Sequence, residues 1–258
     1  MMSQLFRSLC SVRRIGAWLV VLLPAITGPA QGRDVKVAVA ANFIEPMKEI
    51  AAAFAKASGH KLVLSFGATG QFYIQIAQGA PFEVFVAADK ATPAKAVAEG
   101  LAVPGTAFTY AVGKLVLYGK DIDPARGDVT LKEAGFAKLA IANPATAPYG
   151  AAAVETMKAL DVHDVLAPKI VQGNNIAQTL QFIDTGNADL GFVALSQVIF
   201  ADGGGKWVVP ERLHAPLAQD AVLLKAAAGN DAAPAFLDFL KGQEARATIE
   251  KFGYGFSE

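Results

Sequence analysis

The stretch Leu62-Val63-Leu64-Ser65-Phe66-Gly67-Ala68-Thr69-Gly70-Gln71 joins an apolar run to a helical pattern. The apolar run predicts a strand ending at Phe66, and the helical pattern begins at Gln71. Thr69 occupies the position of a helix N-cap. A hydroxyl and the unpaired N–H groups at a helix start can together bind an anion. Taken alone, however, this joint is better explained as an ordinary capped helix that binds nothing.

Strands and helices alternate along the chain on both sides of this joint. The first predicted strands lie at 35–40, 61–66 and 83–88, and the first helices at 45–57, 71–78 and 92–99. Apolar strands separated by helices are typical of a parallel sheet that is covered on both faces. Ligands bind such sheets at the edge formed by the strand-to-helix loops. The alternation returns between residues 138 and 195, and a short edge strand ending in proline is predicted at 207–210.

Two long strands without a following helix, near 111–118 and 219–224, divide these alternating regions. We interpret them as crossings between two α/β lobes, each a mainly parallel sheet flanked by helices, and two crossings permit hinge closure over a ligand. The predicted boundaries give lobe 1 as 33–113 and 221–258 and lobe 2 as 114–220. One continuous α/β domain is the alternative.

Residues 1–32 have the pattern of a secretory signal peptide. A region with three arginines and no acid precedes a short apolar segment at 15–26, and small residues then offer cleavage sites after Ala30 or Gly32. The apolar segment is shorter than the roughly 20 residues of a membrane span, which is the alternative interpretation. We therefore expect a periplasmic protein exported through a cleavable leader.

Composition and charge exclude several classes of function. Of the 258 residues, 53% are hydrophobic, which is enough for a large core. The chain has 23 basic and 23 acidic residues, and without residues 1–32 the balance is 20 to 23, a formal charge of −3. No basic stripe is present, so no nucleic-acid partner is expected. The single cysteine, Cys10, lies in the leader, which excludes disulfides and zinc–thiolate sites from the processed chain.

The sequence contains no motif that indicates catalysis. Three histidines, His60, His163 and His214, are scattered without metal-ligand spacing, and no nucleophile elbow, P-loop or dinucleotide fingerprint occurs. Asp89 follows a strand, and we interpret it as a cap or hinge residue rather than a catalytic acid. An enzyme acting on an oxyanion ester is the rival class, and it would need a nucleophile or general base in the cleft. A binding or sensor module unconnected with transport is a third possibility.

Four strand-to-helix joints share polar but uncharged donors. They are centred on Asn42, on Thr69, on the two-proline loop that leads to Tyr149, and on the Asn-rich helix start before Ile176. None contains lysine or arginine. A fully ionised tetrahedral anion presents only acceptors, so a wall of neutral donors suits it, and bonds to an ion are stronger than neutral ones. On physical grounds alone, the four joints predict a receptor for a small anion.

At these joints the chain resembles the periplasmic molybdate-binding proteins of ABC transporters, the ModA family. The resemblance extends over about residues 34 to 255 and rests on five segments: 39–43, 65–70, 79–89, 142–150 and 190–196. The run Gly79-Ala80-Pro81 into an apolar strand that ends in Ala88-Asp89 is the most specific of them.

The resemblance implies a type II periplasmic solute-binding fold and a monomer that is not an enzyme. It also implies molybdate and tungstate as ligands, an inner-membrane ABC permease as partner and no cofactor, with molybdenum present only as the bound oxyanion. The implied ligand-binding residues are Ala41, Asn42, Thr69, Tyr149 and Ile176. A receptor for another tetrahedral oxyanion, such as sulfate or phosphate, is the alternative.

The chain departs from the family pattern at one position. Many members have a tyrosine where this chain has Ala194. We expect the phenol of Tyr149 to supply the missing donor from another loop.

Overall fold

A computed structural model of the chain describes residues 32–256. The predicted signal peptide lies outside the described residues except for Gly32. The strands are β1 (Asp34–Ala40), β2 (Lys61–Gly67), β3 (Val84–Val86), β4 (Phe108–Gly113), β5 (Leu115–Gly119), β6 (Leu139–Ala142), β7 (Ile170–Gly173), β8 (Leu190–Ala194), β9 (Gly205–Val208) and β10 (Leu217–Leu223). The helices are α1 (Ile44–Ser58), α2 (Thr69–Ala77), α3 (Ala91–Ala98), α4 (Gly127–Glu133), α5 (Pro148–Ala159), α6 (His163–Leu166), α7 (Ile176–Asp184), α8 (Leu195–Val198), α9 (Ala232–Lys241) and α10 (Gln243–Lys251). In the part of the chain that is described, no helix combines the length and the apolar character needed to cross a membrane.

The first sheet has the strand order β2-β1-β3-β10-β4. Strand β1 is parallel to β2 and β3, whereas β10 is antiparallel to β3 and β4. Helices α1, α9 and α10 cover one face, where Met47, Phe54 and Phe236 are fully or almost fully buried. Helices α2 and α3 cover the other face with Phe72 and Ala96. We call this sheet and its helices the first lobe.

The second sheet has the order β7-β6-β8-β5-β9, with β6 parallel to β7 and β8, and β5 antiparallel to β8 and β9. Helix α5 packs on one face through Ala153 and Met157, and α7 and α8 pack on the other through Leu180 and Val198. This sheet and its helices form the second lobe. Strand β9 lies at the sheet edge, as predicted from Pro210, although the strand itself ends at Val208.

The two-lobed α/β fold predicted from the alternating pattern is confirmed. Each sheet is mixed rather than mainly parallel, because two of its four strand pairs are antiparallel. The antiparallel pairs come from the strands that carry the chain between lobes and from β9. These strands enter their sheets without a crossover helix, so they are free to run in the opposite direction.

The first crossing is shorter than the sequence suggests. The run 111–118 is not one long strand, since β4 ends at Gly113 in the first sheet and β5 begins at Leu115 in the second. The second crossing comprises residues 209–216, between β9 and β10. The predicted lobe boundary at 220/221 therefore falls inside β10, and both boundaries stay a prediction.

Helix α1 shows how the sequence positions these elements. Its apolar residues recur at helical spacing, and Met47, Ile50 and Phe54 are buried against the first sheet. It ends at Gly59, whose φ of 75° is left-handed and whose N–H donates to the carbonyl of Ala55. Helix α4 was not predicted, because its only buried large apolar residue is Leu131.

We expect Phe236→Ala to lower the free energy of unfolding by about 3–5 kcal/mol, because its fully buried ring leaves a cavity between α9 and the first sheet. Phe200 is the matched control, since its ring is 58% exposed and Phe200→Ala should cost less than about 1 kcal/mol. Urea denaturation followed by circular dichroism measures both. Equal losses would contradict this account of the core.

Candidate functional site

The four donor joints lie at strand ends that the parallel register places side by side. In the first sheet Ala40 of β1 pairs with Gly67 of β2, and the chain then enters the 3₁₀ turn Ala41–Phe43 and helix α2. In the second sheet Ala142 of β6 pairs with Gly173 of β7, before α5 and α7. Each lobe thus presents two of the four predicted joints at one edge.

The two edges meet at one cavity, which is lined by all five predicted site residues: Ala41, Asn42, Thr69, Tyr149 and Ile176. The rest of the lining consists of Ala40, Gly67, Ala68, Ala88, Ala147, Pro148 and Asn175. None of the described residues that line the cavity is charged. Its wall therefore belongs to both lobes and is neutral.

Main-chain N–H groups are the most numerous donors available to this cavity. Thr69 and Ile176 are the first residues of α2 and α7, and Tyr149 is the second residue of α5. N–H groups at these positions have no partner within their own helix. The side chain of Asn175 accepts from the next two N–H groups of α7, those of Ala177 and Gln178, both at 3.0 Å. That cap leaves the N–H of Ile176 for another acceptor.

The Thr69 hydroxyl is oriented by the main chain of the loop that follows β3. Thr69 is not an N-cap, as the sequence suggested, because that position belongs to Ala68. Its Oγ1 instead accepts a hydrogen bond of 2.9 Å from the N–H of Ala88, and the side chain is buried. With one lone pair engaged in this way, the hydroxyl proton can be donated to a group in the cavity.

The sequence predicts that the side chain of Asn42 donates to the ligand, but the structure shows this side chain bonded within the protein. Its Nδ2 donates to Oε1 of Gln219 at 2.8 Å and to the hydroxyl of Tyr254 at 2.9 Å. Both amide hydrogens are therefore engaged within the protein. The main-chain N–H groups of Ala41 and Asn42 are the donors that this loop can offer to the cavity.

The Tyr149 phenol is part of the same buried hydrogen-bond network. It accepts from Nε2 of Gln219 at 3.1 Å, and Oε1 of Gln219 also accepts from the hydroxyl of Tyr110 at 2.9 Å. Burial raises the pKa of the Tyr149 phenol well above its ordinary value, so the hydroxyl stays protonated in neutral solution. This bond engages the phenol only as an acceptor, so its predicted role as a replacement donor stays a prediction.

Sequence reasoning missed the residues behind the cavity: Tyr110, Ser196, Gln197, Gln219 and Tyr254. The one available signal was a polar residue such as Gln219 inside an apolar strand, since such residues are buried only with partners. Gln197 connects position 194 to the joint at Ile176. Its Oε1 accepts from the N–H of Ala194 at 3.0 Å, and its Nε2 donates to the carbonyl of Ile176 at 3.1 Å. Gln197 therefore holds the peptide that follows Ile176.

Two further contacts define the surroundings of the cavity. The N–H of Gly70 in the first lobe donates to the carbonyl of Thr146 in the second at 2.9 Å, so the lobes are in direct contact beside it. Asp89 caps α3, because its carboxylate accepts from the N–H of Thr92 at 2.6 Å and from the Thr92 hydroxyl at 2.9 Å. Burial raises the pKa of the Asp89 carboxyl. These bonds agree with the expected role of Asp89 as a cap or hinge residue.

The chain is similar over nearly its whole length to known solute-binding proteins. Residues 35–255 match the family of bacterial extracellular solute-binding proteins. The molybdate-binding protein ModA of Rhodobacter capsulatus is 53% identical over 243 residues, 93% of this chain and 96% of the relative. The ModA of Azotobacter vinelandii is 52% identical over 246 residues, 92% of this chain and 96% of that relative.

The fold agrees with a solved structure of the same kind. The periplasmic molybdate-binding protein of Azotobacter vinelandii superimposes with a TM-score of 0.83 and 39% identity, covering 87% of this chain and all of that one. These relatives are named as binding proteins, which confirms that the chain is not an enzyme. The chain belongs to the bacterial extracellular solute-binding proteins and, among them, to the ModA family.

Proposed function

We propose that the chain is a periplasmic receptor that binds molybdate or tungstate between its lobes and delivers it to an ABC permease in the inner membrane. The anion is held by neutral hydrogen-bond donors from Ala41, Asn42, Thr69, Tyr149 and Ile176. The relatives named as molybdate-binding proteins support the choice of ligand. The receptor acts as a monomer, because one chain supplies all four joints.

The observation that carries this proposal is the neutral cavity shared by both lobes. Four helix or turn starts converge on it, two from each lobe, and none of the described residues in its lining is charged. Helix starts carry partial positive charge and unpaired N–H groups, which together stabilise an anion without a counter-ion. A carboxylate in the wall would repel a fully ionised oxyanion.

The lobes close on the anion because its donors are divided between them. Asn42 and Thr69 belong to the first lobe, and Tyr149 and Ile176 to the second. Only a closed molecule lets both sets bond the same ion, so the anion favours the closed state through its differential affinity. Discrimination against sulfate arises from size, since a rigid pocket suited to the larger anion leaves sulfate with long, weak bonds.

We expect calorimetric titration of the exported protein to show submicromolar binding of one molybdate or tungstate per chain and no heat with sulfate. The neutral cavity and its fixed donors are the physical reason. Phosphate serves as a second control anion. Binding of sulfate or phosphate in preference to molybdate would keep the fold and the cavity but overturn the proposed ligand.

Thr69→Ala should weaken molybdate binding by about 1–3 kcal/mol, because it removes one donor to a charged acceptor. Thr185→Ala is a matched control, since the Thr185 hydroxyl donates to its own helix at the Gln181 carbonyl and does not line the cavity. Calorimetry on both variants measures the difference. An affinity retained in Thr69→Ala would remove this hydroxyl from the proposed donors.

Export through a cleavable leader gives a further expectation. The protein recovered from the periplasm should begin at Gln31 or Arg33, because the predicted cleavage sites follow Ala30 and Gly32. Intact-mass measurement of the periplasmic fraction distinguishes the two starts. Recovery of an unprocessed chain from the membrane fraction would instead support the anchor interpretation of residues 15–26.

A further inference from the structure

A ring of three hydrogen bonds connects the lobes directly behind the cavity. Nδ2 of Asn42 donates to the hydroxyl of Tyr254 at 2.9 Å, and the Tyr254 oxygen lies 2.8 Å from the main-chain carbonyl of Asn42 and 3.0 Å from Oγ of Ser196. Oγ of Ser196 donates to the same carbonyl at 2.8 Å. The Tyr254 hydroxyl has one proton for its two acceptors, and the ring is closed when that proton is donated to Ser196.

The members of this ring come from different lobes. Asn42 follows β1, and Tyr254 precedes Gly255, which pairs with Val112 of the first sheet. Ser196 lies in α8, directly after β8 of the second sheet. Both bonds of Ser196 therefore cross from one lobe to the other. Movement of α8 away from the turn at Asn42 would break them, whereas the bonds between Asn42 and Tyr254 stay within the first lobe.

All three residues are buried. The exposed fraction is 2% for Asn42 and 6% for both Ser196 and Tyr254. Burial raises the pKa of the Tyr254 phenol, so its hydroxyl keeps its proton at neutral pH. Ser196 and Tyr254 do not line the anion cavity, but Asn42 does. The ring can therefore affect the cavity only through the position of Asn42 and through the closure of the lobes.

A second contact between the lobes lies on the other side of Asn42. Gln219 accepts from Asn42 at 2.8 Å and donates to the Tyr149 phenol of the second lobe at 3.1 Å. Gly113, at the first crossing, leaves room for this contact, because a Cβ there would lie 2.0 Å from the phenol oxygen and 2.6 Å from Nε2 of Gln219. Asn42 is thus held from both sides when the lobes are closed.

We propose that Ser196 is a positioning residue, which latches the closed form through Tyr254 and Asn42 and slows release of the bound anion. This inference rests on the proposed function for the identity of the anion, but the latch itself is a property of the two lobes. In the open form water replaces the lost bonds, so the net effect is that of one or two ordinary hydrogen bonds. The latch stabilises the closed form with or without the anion. The anion enters while the lobes are apart and leaves only after the latch has broken, so the latch acts mainly on dissociation.

The test compares Ser196→Ala with the wild type by stopped-flow measurement of molybdate binding. We expect dissociation to be about three- to tenfold faster, with an association rate within about twofold of the wild type. Thr156→Val is the matched control, because it also removes a buried hydroxyl, whose bond to the Ala152 carbonyl lies within α5 and away from the cavity. An unchanged dissociation rate in Ser196→Ala, or an equal acceleration in Thr156→Val, would overturn the latch.

A second pair of variants tests closure through the packing at the crossing. Gly113→Ala should accelerate dissociation at least as strongly, because the added methyl group displaces the Tyr149 phenol. Gly135→Ala is its control, since a Cβ at that position meets no atom within 4 Å. Dissociation as slow in Gly113→Ala as in Gly135→Ala would contradict the role given to this contact.

Spin labels at Lys56→Cys in α1 and Lys158→Cys in α5 measure the distance between the lobes. This measurement tests the latch independently of the proposed function. These exposed positions lie in different lobes, and their distance distribution reports closure without any anion. If the wild type does not bind molybdate, the proposed function fails, but Ser196→Ala should still shift the distribution to longer distances. An identical distribution in wild type and variant would overturn the latch whatever the ligand.

Discussion

The parallel register of two strand pairs is the constraint on which the rest of the site depends. Because Ala40 lies opposite Gly67 and Ala142 opposite Gly173, the loops after these strands begin side by side. Each loop leads directly into a helix or turn whose first N–H groups have no internal partner. Donors that are far apart in the chain are therefore brought together by main-chain pairing, before any side chain is considered.

The described residues that line the cavity are uncharged, and several acceptors beside it already accept hydrogen bonds from the protein. The carbonyl of Thr146 accepts from Gly70, and the side chain of Asn175 accepts from the second and third N–H groups of α7. The Thr69 oxygen likewise accepts from Ala88. These three acceptors near the cavity are thus already engaged within the protein. Their engagement favours the proposed ligand, an ion that can only accept.

Behind the cavity, the hydrogen bonds between the lobes are made by uncharged polar side chains. Asn42, Gln219 and three tyrosine hydroxyls are buried with partners and carry no net charge. Buried neutral bonds of this kind are individually modest, but they require defined geometry on both lobes. They therefore connect the closure of the lobes to the position of the loop that faces the anion.

The sequence by itself determined the alternation of strands and helices, the two-lobed α/β fold and the four joints, because apolar periodicity and helix-start chemistry are local signals. It did not determine that 111–118 belongs to two sheets, since a strand in either sheet requires the same apolar residues. The tertiary structure alone decided which atoms of the joints remain free. Asn42 has only its main-chain N–H left for the cavity, because Gln219 and Tyr254, 177 and 212 residues away, accept both of its amide hydrogens. Hydrogen bonds between residues so far apart in the chain produce no periodic pattern in the sequence, so they cannot be predicted from it.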